Sequence, residues 1–311
     1  MRIIHLRNNE YLNIPLDEYA IAIGNFDGIH YGHQEVINTA RKLALKKGLK
    51  FGVMCFDITP RQVVNDIDNY YLLRSFEQKK KILEKLDVEV LFLLHFNKDI
   101  KDLSPEDFIK KMIINNHIKY LVCGYDFHFG KNQSGDVNTL QKYDEFHTII
   151  IPRYEINHQR VSSTLIHELI MNGDIEAANK LLICPYSIIG KVIEGNKKGQ
   201  SIGFPTANIK PLINYRIPQS GVYATKTIIN NKEYYSMTNI GHNPTFNFVS
   251  QQSIETNIFA FDEDIYGAII EIVFIKFIRK ERIFENIASL VKQLRIDKEK
   301  INDYFNNKGE L

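Results

Sequence analysis

His30 and His33 stand three residues apart, after a short apolar run and a glycine-rich turn. The stretch Ile21–Gln34 reads Ile-Ala-Ile-Gly-Asn-Phe-Asp-Gly-Ile-His-Tyr-Gly-His-Gln. A strand, a turn and a helix start in that order can hold phosphate. First-turn N–H groups have no intrahelical partner and point along the positive end of the helix dipole. Gly24, Gly28 and Gly32 let the backbone approach an anion without a Cβ clash. Residues three apart share a helical face, so both imidazoles can aim at one ligand and donate to its oxygens. A lone Gly-x-Gly reads more simply as a turn with surface histidines. Strand, glycines, Asp27 and paired histidines together favour ATP.

A second constellation lies in the other half of the chain. Gly190, Lys191 and Gly195 lead through Lys197, Lys198 and Gly199 to Gly203-Phe204-Pro205-Thr206-Ala207-Asn208. Glycines and lysines there suit a phosphate chain. Thr206 and Asn208 face the same way in an extended segment. A hydroxyl and an amide oxygen are hard ligands of the kind that suit Mg²⁺. The plainer reading is a Gly-Pro turn with two polar rim residues. Glu255 is a lone carboxylate in Ile254-Glu255-Thr256. It can take the proton of an attacking hydroxyl, or merely face solvent on an edge strand. Arg279 can pair locally with Glu281, or reach a ligand's phosphate or ring face. Val161-Ser162-Ser163-Thr164 precedes a helical run, where hydroxyls cap the helix or contact phosphates.

The elements that must position these groups follow two rhythms. Up to about residue 183 strand-like runs alternate with helical ones. The runs Ile21–Ile23, Gly52–Phe56, Val90–His95, Tyr120–Cys123 and Thr148–Ile151 are strand-like. Gln34–Lys47, Phe76–Leu86, Pro105–Asn115 and Leu140–Glu145 have helical patterns. This alternation predicts an α/β domain with a parallel sheet, whose ligands sit beyond the carboxyl ends of the strands. Gly124–Gly130 opens on the same edge. The helix pair ending near Ile183 is expected to pack on this first domain. From Pro185 the strand-like runs Ile188–Ile193, Val222–Ile229, Tyr234–Ile240, Ser253–Phe261 and Ile269–Ile278 have no helix between them. They predict a small antiparallel barrel, with Asn230-Asn231 and Asp264–Gly267 as turns and a closing helix over Ile283–Phe305.

Composition narrows the class. Lys+Arg is 39 and Asp+Glu is 37, so no basic field argues for nucleic acid. The 3 cysteines, Cys55, Cys123 and Cys184, are too few and too widely spaced for a disulfide framework or a zinc site. Buried thiols in a reducing cytoplasm are expected. The first ten residues lack a signal-peptide pattern, and no apolar run is long enough to span a bilayer. Small-molecule substrates are expected, with no membrane and no nucleic acid; oligomeric state is not readable.

Taken together, these segments resemble the bacterial bifunctional riboflavin kinase/FMN adenylyltransferases, also called FAD synthetases, over essentially the full length. The matching segments are Gly24–Gln34, Gly124–Gly130 with Gly135-Asp136, Val161–Thr164, Gly203–Asn208, Asn239–Phe246, Ile254–Thr256, Asp264–Gly267 and Ile278–Phe284. The resemblance implies a nucleotidyltransferase domain over 1–184 and a riboflavin kinase domain over 185–311. It implies that riboflavin attacks the γ-phosphate of one ATP to give FMN, and FMN the α-phosphate of another to give FAD and pyrophosphate. Glu255 becomes the kinase base. Gly190, Lys191, Gly195, Gly199, Pro205, Thr206 and Asn208 bind its ATP, Thr206 and Asn208 also holding Mg²⁺, and Arg279 contacts flavin. In the first domain His30 and His33 stabilise charge at the α-phosphate. Gly24, Asn25, Phe26, Asp27, Gly28, Gly32, Ser162, Ser163 and Thr164 bind ATP, and Asp126 the flavin.

Three positions depart from the family pattern. His128 and His167 stand where the family usually has arginine, and Thr59 where histidine commonly precedes Pro60. Histidine is mostly neutral near pH 7, while arginine is always charged. A lost charged hydrogen bond removes about 1.5–3 kcal/mol. The expectation is firm kinase activity with a weakened, altered or absent adenylyltransferase. The alternatives are a riboflavin kinase alone, or a flavin-binding regulatory protein that catalyses little. Lys131 and Arg160 are basic groups that could compensate.

Overall fold

Six parallel strands build the first half of the chain, in the order β1-β4-β3-β2-β5-β6. They are β1 (Arg2–Leu6), β2 (Tyr19–Ile23), β3 (Lys50–Phe56), β4 (Val90–Leu94), β5 (Ile118–Gly124) and β6 (His147–Ile151). The computed structural model describes residues 1–7, 17–57, 70–195, 198–243 and 251–307. Thr59, Lys197 and residues 244–246 lie outside them. Every residue of β2 and β4 is buried, which is why both read as unbroken apolar runs. The edge strand β1 starts on Arg2 and carries His5 between its apolar residues, and the sequence reading missed it.

Helices follow the strands as crossovers. In α1 (Tyr31–Lys47) the buried Val36, Ile37, Ala40 and Ala44 recur at helical spacing. Gly48, in the left-handed region at φ 67°, ends it. Ser75 and Gln78 form a capping box at the start of α2 (Phe76–Lys85). Ser104 caps α3 (Pro105–Phe108), which continues as a π turn, Ile109–Ile113, and a 3₁₀ turn, Ile114–Asn116. The expected helix over Leu140–Glu145 does not form. Instead α4 is one turn, Val137–Leu140, started by Asp136, whose Oδ1 accepts from Thr139 N at 2.8 Å. Beyond it Lys142, Asp144 and Glu145 are exposed, while Tyr143 and Phe146 stack and pack on the core without a helix. A two-strand ribbon, β7 (Glu155–Ile156) and β8 (Gln159–Arg160), completes this half.

The chain divides into two compact units, residues 1–70 with 75–163, and 71–74 with 164–311. In the first unit β3 and β4 lie on one side of β2, and β5 and β6 on the other. The strand order therefore reverses between β2 and β5. The loops after these two strands, which carry His30 and Asp126, open at that switch point.

Packing assigns the helices α5 (Ser163–Met171) and α6 (Ile175–Leu181) chiefly to the second unit, not to the first as expected. Asn179 on α6 is one tie to the barrel. Its Nδ2 donates to the Phe274 carbonyl at 2.9 Å, and its Oδ1 accepts from Tyr186 N at 2.8 Å. Six antiparallel strands then close a barrel in the order β10-β13-β12-β11-β14-β9. They are β9 (Ser187–Ile193), β10 (Ala207–Pro211), β11 (Gly221–Ile229), β12 (Lys232–Asn243), β13 (Gln251–Ile258) and β14 (Ile269–Arg279). Asn230 and Asn231, at φ 50° and 64°, make the tight β11–β12 turn. A short helix, α7 (Lys198–Ser201), precedes β10. The last helix, α8 (Ile287–Asn307), starts four residues later than expected. Those residues instead form a segment that walls the site.

The barrel interior is partly polar. Thr225, Thr227, Ser236, Thr238 and Thr256 are all fully buried and linked by hydroxyl hydrogen bonds of 2.8–2.9 Å. Each hydroxyl both donates and accepts, so a chain of them satisfies itself without water. The chain puts Thr238 and Thr256 inside, and their neighbours Asn239, Glu255 and Asn257 on the opposite face.

Candidate active sites

The loop after β2 is strained. Phe26, Gly28 and Ile29 take φ values of 49°, 79° and 48°. Positive φ is costly for phenylalanine and more so for β-branched isoleucine. Burial of both side chains holds them there. The result aims His30 at the start of α1. His30 Nδ1 accepts from the backbone N–H of His33 at 3.2 Å, so an imidazole serves as the helix cap. The rings of His30 and His33 stack with centroids 3.6 Å apart, and Phe26 meets His33 edge-on.

Both histidines are neutral. Burial lowers His30 to about 4, outweighing the pull of Asp27 and Asp126. Burial, His30 and Lys79 hold His33 well below the imidazole range. With Nδ1 of His30 accepting, its ring proton sits on Nε2, the atom left to donate to a phosphate. Asn25 Oδ1 and His33 Nδ1 are buried with no hydrogen-bond partner. Such orphans belong at a site that a ligand completes.

Other expected residues converge on this loop. Ser163 Oγ donates to the Asp27 carbonyl at 2.9 Å, so its hydroxyl ties the serine motif to the loop. Arg160 Nη2 meets Asp126 Oδ2 at 2.6 Å, and its guanidinium lies over Tyr125 at 5.4 Å. Asp126 and Arg160 both act electrostatically on His30. His128 only folds back, its Nδ1 3.0 Å from the Asp126 carbonyl. Lys131 pairs with Asp102 at 3.6 Å. His167 belongs to the second unit, where its Nδ1 accepts from Arg216 Nε at 3.3 Å.

Lys79 escaped the sequence reading. It sits in Lys79-Lys80-Lys81, which resembles a solvated charge run. Yet Lys79 is only 5% exposed and acts electrostatically on His33 and Cys55. The available signal was that Lys79 shares a helical face with Ile82 and Leu83, both buried. Cys55 and Cys123 are free buried thiols, the latter pushed up to about 12 by burial, and neither is poised for chemistry.

The second unit holds a cavity of about 390 Å³. Thr206, Asn239, Glu255 and Asn257 supply its polar wall, with Arg279 and Glu281. Val222, Met237, Phe284, Leu290 and Leu294 supply an apolar one. Glu255 is half-buried, and burial first, Glu281 second, raise its pKa. It pairs across the sheet with Asn239 on one side and Asn208 on the other. Asn257, two residues along the same face, donates Nδ2 to the Pro205 carbonyl at 2.6 Å and fixes the Pro-Thr-Ala-Asn turn. Sequence reading passed over it, although its spacing from Glu255 was a signal.

The glycines here make room. A Cβ on Gly195 would strike the Asn208 amide, and one on Gly199 the Phe204 carbonyl, with Thr206 Oγ1 at 3.3 Å. A Cβ on Gly190 would strike Ile209, so close β9–β10 packing accounts for that glycine. Arg279 does not pair with Glu281. Its Nε meets Asp297 Oδ2 at 2.8 Å, and Asp297 is fully buried on α8. A hydroxyl, an amide oxygen and a neighbouring carboxylate are the hard oxygen donors that Mg²⁺ takes, so Thr206 and Asn208 fit that ion.

A strained His-x-Gly-His loop at the switch point of a parallel sheet, joined to a barrel with a carboxylate-lined cavity, defines a two-site nucleotide-dependent transferase. The FAD synthetase family model matches residues 14–165, and the riboflavin kinase family model residues 182–305. The chain is 38% identical to the bifunctional riboflavin kinase/FMN adenylyltransferase of Bacillus subtilis, covering 99% of each. It is 36% identical to that of Listeria monocytogenes, over 95% of this chain and 97% of the relative. A crystal structure described as a macrolide-efflux protein from Streptococcus pneumoniae superposes with a TM-score of 0.89 at 31% identity, covering 97% and 99%. The chain belongs to the bifunctional riboflavin kinase/FMN adenylyltransferase family.

Proposed function

We propose that this bifunctional riboflavin kinase/FMN adenylyltransferase divides its reactions between residues 1–184 and 185–311. In the barrel cavity Glu255 accepts the proton of riboflavin's terminal ribityl hydroxyl. The freed oxygen bonds to the γ-phosphorus of ATP, the bond to the β–γ bridging oxygen breaks, and FMN and ADP result. Thr206 and Asn208 would hold Mg²⁺, which when bound neutralises phosphate charge. Gly195 and Gly199 give the ATP room. The apolar wall takes the flavin ring, with Arg279 at its edge.

In the first unit an FMN phosphate oxygen attacks the α-phosphorus of ATP, and pyrophosphate leaves. The N-terminus of α1 and the Nε2–H of His30 meet charge developing on the α-phosphate, with His33 stacked behind. Gly24, Asn25, Phe26, Asp27, Gly28 and Gly32 form the cradle, Ser162, Ser163 and Thr164 lie by the phosphates, and Asp126 faces the flavin. Both steps are in-line transfers in which positioning and charge stabilisation do most of the catalysis.

The adenylyltransferase is taken as working, because Arg160 supports it. Paired with Asp126 and within electrostatic reach of His30, Arg160 brings a guanidinium beside the loop, where His128 only folds back. Nothing favours a kinase-only enzyme. No described helix is long and apolar enough to cross a membrane. The enzyme is assigned to the cytoplasm, where its buried thiols stay reduced.

The observation that carries this reading is the coexistence, in one chain, of the His30–His33 cap and the Glu255 cavity. Chromatography of products tests it. Riboflavin with ATP and Mg²⁺ gives FMN and then FAD; FMN with ATP gives FAD and pyrophosphate. No FMN from riboflavin refutes the first half, and no FAD from FMN the second.

A further inference from the structure

The segment between β14 and α8 sends a second carboxylate into the barrel cavity. A Cβ placed on Gly241 would lie 2.7 Å from Glu281 Oε1, 3.1 Å from Asn239 Nδ2 and 3.3 Å from Ser253 Oγ. Gly241 does not have a positive φ, so its missing side chain serves space and not conformation. Glu281 therefore lies over bare backbone of β12. Gly241 pairs with Ser253, and Asn239 pairs with Glu255. The two acids thus stand one pleat repeat apart along the same face, roughly 7 Å in strand rise.

Arg282 lines the same cavity but makes no ion pair with Glu281. The nearest guanidinium on β14, Arg279, is committed through Nε to Asp297 and through Nη1 to the Lys280 carbonyl. Asp297 takes Gln293 with its other oxygen. Among the described residues Glu281 has no ion pair. Two carboxylates facing one cavity repel each other, and Glu281 is the charged group that, after burial, raises Glu255. A ligand bearing several O–H donors relieves that arrangement, because an ionised carboxylate only accepts.

We propose that Glu281, seated on Gly241, accepts a hydrogen bond from an inner ribityl hydroxyl of riboflavin and so makes the kinase selective for a polyol tail. This rests on the kinase reading of the cavity. The terminal hydroxyl goes to Glu255, and the inner ones run back along the same strand face toward Glu281. A site built to accept from a hydroxyl rejects an analogue that lacks it, because its acceptor is then left unmet. Gly241 keeps the seat open.

The test compares riboflavin with a flavin whose tail is a 5-hydroxypentyl chain, which keeps the ring and terminal hydroxyl but lacks the inner ones. kcat/KM for phosphorylation is measured on each. The wild-type enzyme is expected to prefer riboflavin by tenfold or more. Glu281→Ala loses about tenfold of that preference, mainly in the KM for riboflavin. Glu281→Gln, which retains a carbonyl acceptor, keeps part of it. Gly241→Ala, which displaces the carboxylate without removing it, reproduces the loss; if it melts early, the two Glu281 variants decide alone. An unchanged preference in Glu281→Ala overturns the proposal. A wild-type protein that makes no FMN overturns the kinase reading instead, which separates the two failures.

Discussion

The backbone N–H of His33 donates to the ring of His30, so the imidazole proposed to meet the α-phosphate is also the cap of its own helix. The two roles separate by substitution. His30→Asn retains a good capping acceptor and removes the imidazole. Urea unfolding of the variant is expected to stay within about 1 kcal/mol of wild type. FAD formation from FMN falls by about 10²-fold or more, as for loss of a preorganised donor. FMN formation is unaltered.

Burial of neutral His30 and His33 also fixes the sign of a pH effect. Their folded pKa values are depressed, to about 4 for His30. Above about pH 6.5 both states are neutral at these sites, and the contribution is fully present. As pH falls from there the unfolded chain takes protons that the folded one refuses. Stability is lost at roughly 1.4 kcal/mol per pH unit for each histidine until its folded pKa is reached. Urea melts between pH 7 and 4.5 check this. Part of the loss should disappear in His30→Asn.

Arg160 carries the argument for a working adenylyltransferase. Arg160→Met leaves Asp126 unpaired and removes the guanidinium near His30. FAD formation is expected to drop at least tenfold, with FMN formation from riboflavin unchanged. Equal rates in wild type and variant would leave the missing arginines unanswered.

Asp297 is fully buried and holds Arg279. Removing one partner of a buried pair leaves an uncompensated charge and costs about 3–5 kcal/mol. Asp297→Ala is expected to unfold the second unit at lower urea, while an assay of FMN adenylylation persists at intermediate denaturant. A melt identical to wild type would show the pair to be dispensable.

Much of this was legible in the chain. His30, His33, Thr206 and Glu255 stand in short segments whose chemistry is local, and β2 and β4 announce themselves as apolar runs. What escaped depends on residues far apart in sequence. A local Arg279–Glu281 pair was one of two readings open in the sequence; the fold brings Asp297 to Arg279 instead and leaves Glu281 lining the cavity. Strand β10 follows Pro205 and ends on Pro211, so it was not among the strand-like runs, and its pairing with β9 and β13 makes it one. Lys79 looks like one of three solvated lysines, and only the packed face of α2 distinguishes it. Arg160 was legible in the sequence as a basic group that could compensate, but its contact with Asp126 needed the fold.

The central claim is that two independent sites in one chain make FMN and then FAD. Rates of both half-reactions in Glu255→Gln and in His33→Ala test it most directly. Glu255→Gln is expected to lose about 10²–10⁴-fold in FMN formation while converting added FMN to FAD at the wild-type rate. His33→Ala does the reverse. Folded variants that each lose both reactions, or that keep the one they should lose, contradict the account.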